Sequence, residues 1–363
     1  MSTEQKWNWQ QDNWPHFEFE AEIFQKYENK FLLNAWKLSW ALFHLHQTEK
    51  DNLQVQLLSD EAMNTSEIEG EYLDRDSVQS SIQKKLWIKA ERSHKAAENG
   101  IAELMIDCFE NFSQILTHEK LHEWHHMICE GRKDLQDIWR YRTHSEAMQV
   151  VSGQIDKPKI HFEAPESSCM KQEMTDFFTW LQSSQLSPLL KSWVAHMYFI
   201  SIHPFEDGNG RIVRAICEHI LSHWLNKPSF TTLSRQIQIQ RKEYYEILEK
   251  STKNMNIQSW LEWYCNIVLQ AQKYTLTLID FTIQKTKILD SISWNINERQ
   301  EKVLIRMFET WPEWFIGWLS AANYIKITKA TVPTTTRDLS DLVSKWALKK
   351  TGERKSTRYW LDI

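Results

Sequence analysis

Glycine and proline, the two residues that most readily break regular backbone, occur only eight times each along 363 residues. With so few turn formers, a chain rich in Leu, Ile, Trp, Glu, Gln and Lys is confined to long helices and few tight turns, so the expected fold class is mainly α. The length suggests two or three units around at least one sizeable core. Against that scarcity, two of the glycines fall one residue apart, Gly208 and Gly210, inside "SIHPFEDGNGRIVR" at 201–214. Two glycines spent in one place mark a backbone with a special task.

The formal net charge of −5 conceals a basic tail from Lys345 onward, so it excludes neither a nucleic-acid surface nor a local acidic partner. Cys108, Cys129, Cys169, Cys217 and Cys265 show no close C-x-x-C spacing and read as reduced thiols, in keeping with a cytoplasmic protein. The opening "MSTEQKWNWQQDNWPHFEFE" has no basic region followed by an apolar run. No stretch approaches the roughly 18 apolar residues of a membrane span, and no membrane partner is expected. Trp7, Trp9 and Trp14 in this opening suggest packing and nothing further.

Apolar residues recur at three and four positions in "FQKYENKFLLNAWKLSWALFHLHQ", predicting an amphipathic helix, and "DNLQVQLLSDEAMNTSEIEG" predicts a second that stops at Gly70. "DSVQSSIQKKLW" and "AAENGIAELMIDCFENFSQIL" continue the helical pattern. Between 141 and 165 it breaks into short β-prone runs that predict a hairpin. Helices resume at "CMKQEMTDFFTWLQ" and "PLLKSWVAHMYFI", then at "RIVRAICEHILSHWL", "RKEYYEILEKSTK" and a long stretch from about 257 to 292. From about 297 the order is helix, short helix, helix and β-hairpin.

Physically, Gly208 and Gly210 around Asn209, just before a helix, let backbone N–H groups converge beside the positive helix end, which favours an anion. Arg211 and Arg214 lie on one face of that helix and present planar forks of donors suited to phosphate. Asp207 is a hard oxygen donor suited to Mg²⁺, and His203 has the chemistry of a general base. The residues alone leave two readings open, an ordinary turn between helices or a phosphate site.

The stretch matches without a gap the H-P-F-x-(D/E)-G-N-G-R-x-x-R signature and so resembles the Fic family, whose members move part of a nucleotide onto a protein hydroxyl. The resemblance implies His203 as base and Asp207 as Mg²⁺ ligand. It implies that Gly208, Asn209 and Gly210 hold the α- and β-phosphates, that Arg211 steadies the β-phosphate and that Arg214 reaches the γ-phosphate. Phe205 would anchor the loop, Glu206 fills the variable position, and 148–164 is similar to the flap along which a target peptide extends a β-hairpin. Tyr244 and Tyr245 fall where relatives place groups near the adenine, although paired tyrosines on a helix also suit a core. ATP would be the co-substrate, and the acceptor a Tyr, Ser or Thr hydroxyl of a target protein or of the chain itself.

"TSEIEG" at 65–70 resembles the inhibitory (S/T)-x-x-x-E-(G/N) motif of the class that restrains itself within one chain, giving Thr65, Ser66, Glu69 and Gly70 as a brake. Glu69 sits at the negative end of a helix, where a carboxylate calls for a cation; Arg214 is the implied partner. "HEKLH", His118 to His122, also fits the H-E-x-x-H spacing of zinc proteases, with Glu119 as base. The C-terminal order resembles the winged helix of many Fic proteins, with Arg337, Arg354, Lys355 and Arg358 available to DNA phosphates.

The implied organisation is an N-terminal helical region with the inhibitory motif at 1–95, a Fic catalytic core at 96–290 and a winged helix-turn-helix at 291–363. The implied activity is self-inhibited protein adenylylation. The alternative is a nucleotide-sensing, DNA-binding regulator with secondary or reversed catalysis. Donor nucleotide, target and a homodimeric state stay open at this level.

Overall fold

The computed structural model describes residues 7–86, 96–154, 157–292, 295–309 and 318–362. It is mainly helical, as the scarcity of glycine and proline dictates, with two small antiparallel hairpins. Contacts divide the chain into a unit of Met1–Thr275 and a unit of Leu276–Ile363.

The first unit contains α1 (Gln25–Phe43), α2 (Gln47–Ile68), α3 (Arg75–Lys85), α4 (Ala96–Glu110) and α5 (His118–Cys129). A hairpin of β1 (Gln149–Gln154) and β2 (Lys157–Glu163) follows, then α6 (Met170–Ser183), α7 (Pro188–Ile202), α8 (Asn209–Leu225), α9 (Leu233–Ile239) and α10 (Arg241–Ser251). The last helix, α11 (Gln258–Ile292), begins in this unit. Local chemistry sets the starts. The Glu49 carboxylate accepts from the His46 N–H at 3.0 Å ahead of α2, Asp74 accepts from the Ser77 N–H at 2.8 Å ahead of α3, and Pro188 opens α7.

Helix α7 is buried around nearly its whole circumference, so it runs through the middle of the core and packs along α8. Helix α2 packs against α3, α4, α8 and α9, which brings its C-terminal end to the start of α8. The hairpin pairs Gln149 with Glu163 and Gln154 with Lys157, with an irregularity between Val150 and Val151. One expected helix is shorter than its pattern: the stretch read as helical to Leu116 stops at Glu110. There Asn111 donates from its side chain to Asp107 and accepts from the Gln114 N–H at 3.0 Å, turning the chain. Helix α9 was not foreseen; its seven residues, "LSRQIQI", are too few for a helical period to stand out.

The second unit holds the end of α11, then α12 (Glu298–Glu309), α13 (Ala321–Thr328), α14 (Val332–Ser344) and a hairpin of β3 (Leu348–Thr351) with β4 (Arg358–Leu361). Val303, Leu304, Met307, Tyr324, Leu339, Leu342 and Leu348 form its core. Asp338, nearly buried, accepts from the Tyr324 hydroxyl at 2.8 Å and from Arg299 at 2.9 Å, tying the three helices together. Across the described residues no helix is long and apolar enough to cross a membrane.

Candidate active site

The loop between α7 and α8 is built to be rigid. Helix α7 ends at His203, whose backbone is left-handed at φ 51° and whose N–H donates to the Phe199 carbonyl at 2.9 Å. Phe205 is wholly buried and stacks on the His125 ring at 4.3 Å. Asn209 crosses the loop: its amide donates to the Phe205 carbonyl at 2.8 Å and accepts from the Phe205 N–H at 3.0 Å. Gly208 has φ 80°, and a Cβ there would lie 2.6 Å from Ile128 Cδ1. Helix α8 starts at Asn209, so the N–H groups of its first turn have no carbonyl one turn behind them and face outward.

Charges gather round that helix end. Asp207 accepts from the Gly208 N–H at 2.6 Å and from the Arg132 guanidinium at 2.8 Å. Burial alone would raise its pKa, but Arg211, the Gly208 N–H and Arg132 together hold it below the usual carboxylate range. Arg214 is almost fully buried and donates to the Thr65 hydroxyl at 2.8 Å, to the Thr65 carbonyl at 2.8 Å and to Glu69 at 2.7 Å. Burial opposes its charge, and the Glu69 carboxylate more than restores it. Glu69 also lies against the loop itself, since a Cβ on Gly210 would meet its Oε1 at 2.0 Å. The carboxylate therefore lies against the start of α8 while pairing with Arg214. Arg211, nearly buried, pairs with Glu71 at 2.7 Å.

Helix α10 grips the end of α2. The Ile68 carbonyl accepts from Arg241 at 2.9 Å and from the Tyr245 hydroxyl at 3.0 Å. Tyr244 faces the core, with its hydroxyl 3.3 Å from His196 Nε2. Gly70, at φ 85°, ends the turn by donating to the Glu67 carbonyl at 3.0 Å, and the Ser66 carbonyl accepts from Glu69 and Glu71 N–H groups at 3.1 and 3.0 Å. Ser66 itself is buried.

His203 places Nδ1 3.4 Å from the Ile200 carbonyl, so with its proton on Nδ1 the ring keeps an Nε2 lone pair. Burial first, and the Arg142 guanidinium second, pull its pKa from 6.5 down to about 4, leaving the ring neutral at physiological pH. Arg142 carries no motif signature, yet it is the hub behind this histidine. Almost fully buried, it donates from Nε to the His203 carbonyl at 2.9 Å, from Nη1 to Ser167 at 2.8 Å and from Nη2 to the Pro165 carbonyl. Its N–H donates to the Pro204 carbonyl at 2.9 Å. With only neutral acceptors around it, burial lowers its pKa to about 10.

The N-terminal tryptophans do more than fill space. Trp9 Nε1 donates to the Glu163 carbonyl at 2.7 Å at the foot of β2, and Trp7 meets Phe162 edge to face at 5.4 Å. Between them, buried Asn8 donates to Ser201 Oγ at 2.8 Å, two residues before His203, and its N–H donates to the Thr252 carbonyl at 2.8 Å. Phe162 in turn approaches the His203 ring at 6.3 Å. His161 ties the same strand to α10 through Glu249 at 2.6 Å. One tripeptide thus joins the hairpin, the histidine-bearing helix and the end of α10.

The "HEKLH" histidines face an aromatic ring: His118 Nδ1 lies 2.8 Å from the Tyr141 hydroxyl, and His122 packs on that ring at 4.6 Å. Among the described residues no three His, Cys, Asp or Glu side chains gather to hold a metal ion. Asp207 suits a hard cation that keeps water and phosphate ligands, being ionised, half-exposed and already facing a cationic group, Arg132. In the second unit Arg337 is exposed, Arg358 stacks over the Trp318 ring at 3.9 Å, and the Lys355 side chain lies outside the described residues.

Residues 115–221 match the Fic/DOC family, and residues 7–88 match a domain of unknown function, DUF4172. Among solved structures, the chain is similar to a Fic family protein from Desulfovibrio desulfuricans G20 at 17% identity, with a TM-score of 0.57 over 96% of this chain and 98% of that one. It is also similar to Fic-1 (residues 134–508) from C. elegans at 15% identity, with a TM-score of 0.51 over 71% of this chain and 72% of that one. At such identities the likeness concerns the fold. The mainly helical class and the Fic-type core expected from the motif are both met.

Proposed function

We propose that the Fic/DOC domain, of a kind whose members commonly transfer nucleotide or other groups onto proteins, makes this chain a protein adenylyltransferase held in check by Glu69. One observation carries the reading. His203, Asp207, the α8 N-terminus, Arg211 and Arg214 converge, and the Glu69 carboxylate sits where an ATP phosphate would pair with Arg214.

In the active state Glu69 withdraws and the ATP phosphates take the first-turn N–H groups of α8 with Arg211 and Arg214. Asp207 would hold Mg²⁺, which when bound offsets phosphate charge. The target's Tyr, Ser or Thr hydroxyl gives its proton to His203 Nε2 as its oxygen bonds to the α-phosphorus. The bond from that phosphorus to the bridging oxygen breaks, and pyrophosphate leaves. The hairpin β1–β2 offers the target a strand edge, and Arg142 with the Trp7–Trp9 tripeptide fixes its foot relative to His203. Of the tyrosine pair, Tyr245 is exposed enough to reach adenine, while buried Tyr244 backs it.

In this reading residues 1–95 supply the brake, 96–290 the catalytic core and 291–363 a winged helix. A second reading, a DNA-binding regulator whose core senses nucleotide with secondary or reversed catalysis, is favoured by exposed Arg337, Lys349 and Lys350 in the second unit.

Incubation with α-labelled ATP and Mg²⁺ separates the two. Label on protein that rises in Glu69→Gly and vanishes in His203→Ala supports the transferase; absence of label in Glu69→Gly, with DNA retained in a salt-sensitive way, supports the regulator.

A further inference from the structure

The outward face of α1 is apolar and exposed. Leu33, Trp36, Trp40 and Phe43 are 52%, 63%, 59% and 76% exposed. They follow helical spacing and form one stripe, flanked by the neighbouring His44 ring, 4.4 Å from Trp40 and 5.5 Å from Phe43. The opposite face, Phe31, Ala35, Leu38 and Ala41, is locked into the core, so the stripe cannot turn inward.

We propose that a second copy of this chain covers the stripe, with the two α1 helices antiparallel about a two-fold axis level with Leu38. The spacing carries the argument. Leu33 and Phe43 stand five positions either side of Leu38, and Trp36 and Trp40 stand two either side. A two-fold perpendicular to the helix therefore sets each Leu33 against the partner's Phe43 and each Trp36 against the partner's Trp40, as an isologous interface requires.

Size agrees. Aromatic side chains of about 150–250 Å² exposed to this degree give roughly 500 Å² of apolar surface per copy. The pair would cover about 1,000 Å², near the lower bound for a specific interface, so the association is weak and concentration-dependent. Two tryptophans at the centre are the residues most often found to dominate such contacts. Lys30 and Lys37 border the stripe and keep their charged ends in water along it.

Sedimentation velocity on the full chain from about 1 to about 100 µM should show mass rising from one copy to two. Trp36→Glu and Trp40→Glu should each weaken the dimer roughly 30-fold or more, with circular dichroism and thermal midpoint unchanged because both side chains project outward. For orientation, Leu33→Cys protein mixed with Phe43→Cys protein, in a background where exposed Cys169 is changed to Ser, should cross-link through a short bis-maleimide far better than either alone. A single-copy mass at every concentration overturns the proposal, whether or not the stripe then binds anionic vesicles or another protein. So does a dimer indifferent to both Trp substitutions, or preferential cross-linking of Leu33→Cys to itself.

Discussion

Replacing Glu69 by Gly removes the side chain that both lies against Gly210, at the mouth of the proposed anion cradle, and pairs with Arg214. Its bond to Arg214, at 2.7 Å with the arginine 1% and the glutamate 28% exposed, is a charge-assisted hydrogen bond worth about 1.5–3 kcal/mol. In the proposed reaction ATP must displace that bond to place its terminal phosphate on the guanidinium. At 1.4 kcal/mol per tenfold, the substitution should speed incorporation of AMP by roughly 10- to 100-fold at subsaturating ATP. The same change has a cost in the absence of ligand. Arg214 keeps Thr65 but loses its carboxylate, and an under-satisfied buried charge costs about 1–3 kcal/mol. In a unit of this size that lowers the melting temperature by roughly 2–5 °C. ATP with Mg²⁺ should then restore more stability to the variant than to the wild type, because only the variant binds phosphate without first breaking an ion pair. The assay pairs initial rates with α-labelled ATP and thermal melts with and without nucleotide. Equal labelling of the two proteins, or equal nucleotide-induced shifts in their melting temperatures, would refute the assignment of Glu69 as a competitor for the phosphate.

In the proposed reaction His203 sets the acid limit. Its folded pKa is depressed to about 4, so the neutral base is present above that value and its contribution is lost as pH falls through it. Initial rates of Glu69→Gly should be level from pH 8 to about 5 and then drop, whereas a midpoint near 6.5 would mean that burial and Arg142 do not act on the ring. Arg132 and Asp207 form a pair with both partners about 40% exposed, worth about 0.2–1 kcal/mol. Arg132→Ala should therefore lower the Mg²⁺ concentration needed for half-maximal labelling about two- to fivefold, and a need for more Mg²⁺ would show that Arg132 assists the cation. Trp9→Phe keeps the ring and removes the N–H that holds the Glu163 carbonyl, so it should raise KM for the target severalfold while leaving KM for ATP unchanged; equal changes in both would point to general loosening. Arg142→Lys should not rescue Arg142→Met, since one ammonium cannot span the His203 carbonyl, Ser167 and the Pro165 carbonyl in the fixed fork that guanidinium provides. Titration of labelling by each variant tests it.

What the sequence made legible follows from range. The loop at 203–214 is a local device: a left-handed glycine, an Asn closing on its own turn and arginines one helical turn apart act within twelve residues, so their order along the chain is their order in space. The pairing of Glu69 with Arg214 spans 145 positions and was still readable, because a carboxylate at a helix C-terminus demands a cation and the motif named one. Glu71 with Arg211 had no such signal, lying past the end of its helix in a stretch where a solvated glutamate is ordinary.

Arg142 and the Trp7–Trp9 tripeptide were illegible for a different reason. Their hydrogen-bond partners are main-chain carbonyls and two serine hydroxyls, groups that every sequence contains, so no residue type in the pattern points to them. What they do is geometric: they fix the foot of a hairpin, and with it a histidine, whose chemistry was named by other residues. A motif can declare which atoms react, but the scaffold that keeps those atoms in register is written in contacts between segments some 20 to 240 positions apart, where hydrogen bonds to backbone carry no sequence mark. It follows that substitutions at Asn8, Trp9 and Arg142 should alter the reaction while leaving every residue of the signature intact, a class of effect that inspection of the signature alone would assign to misfolding.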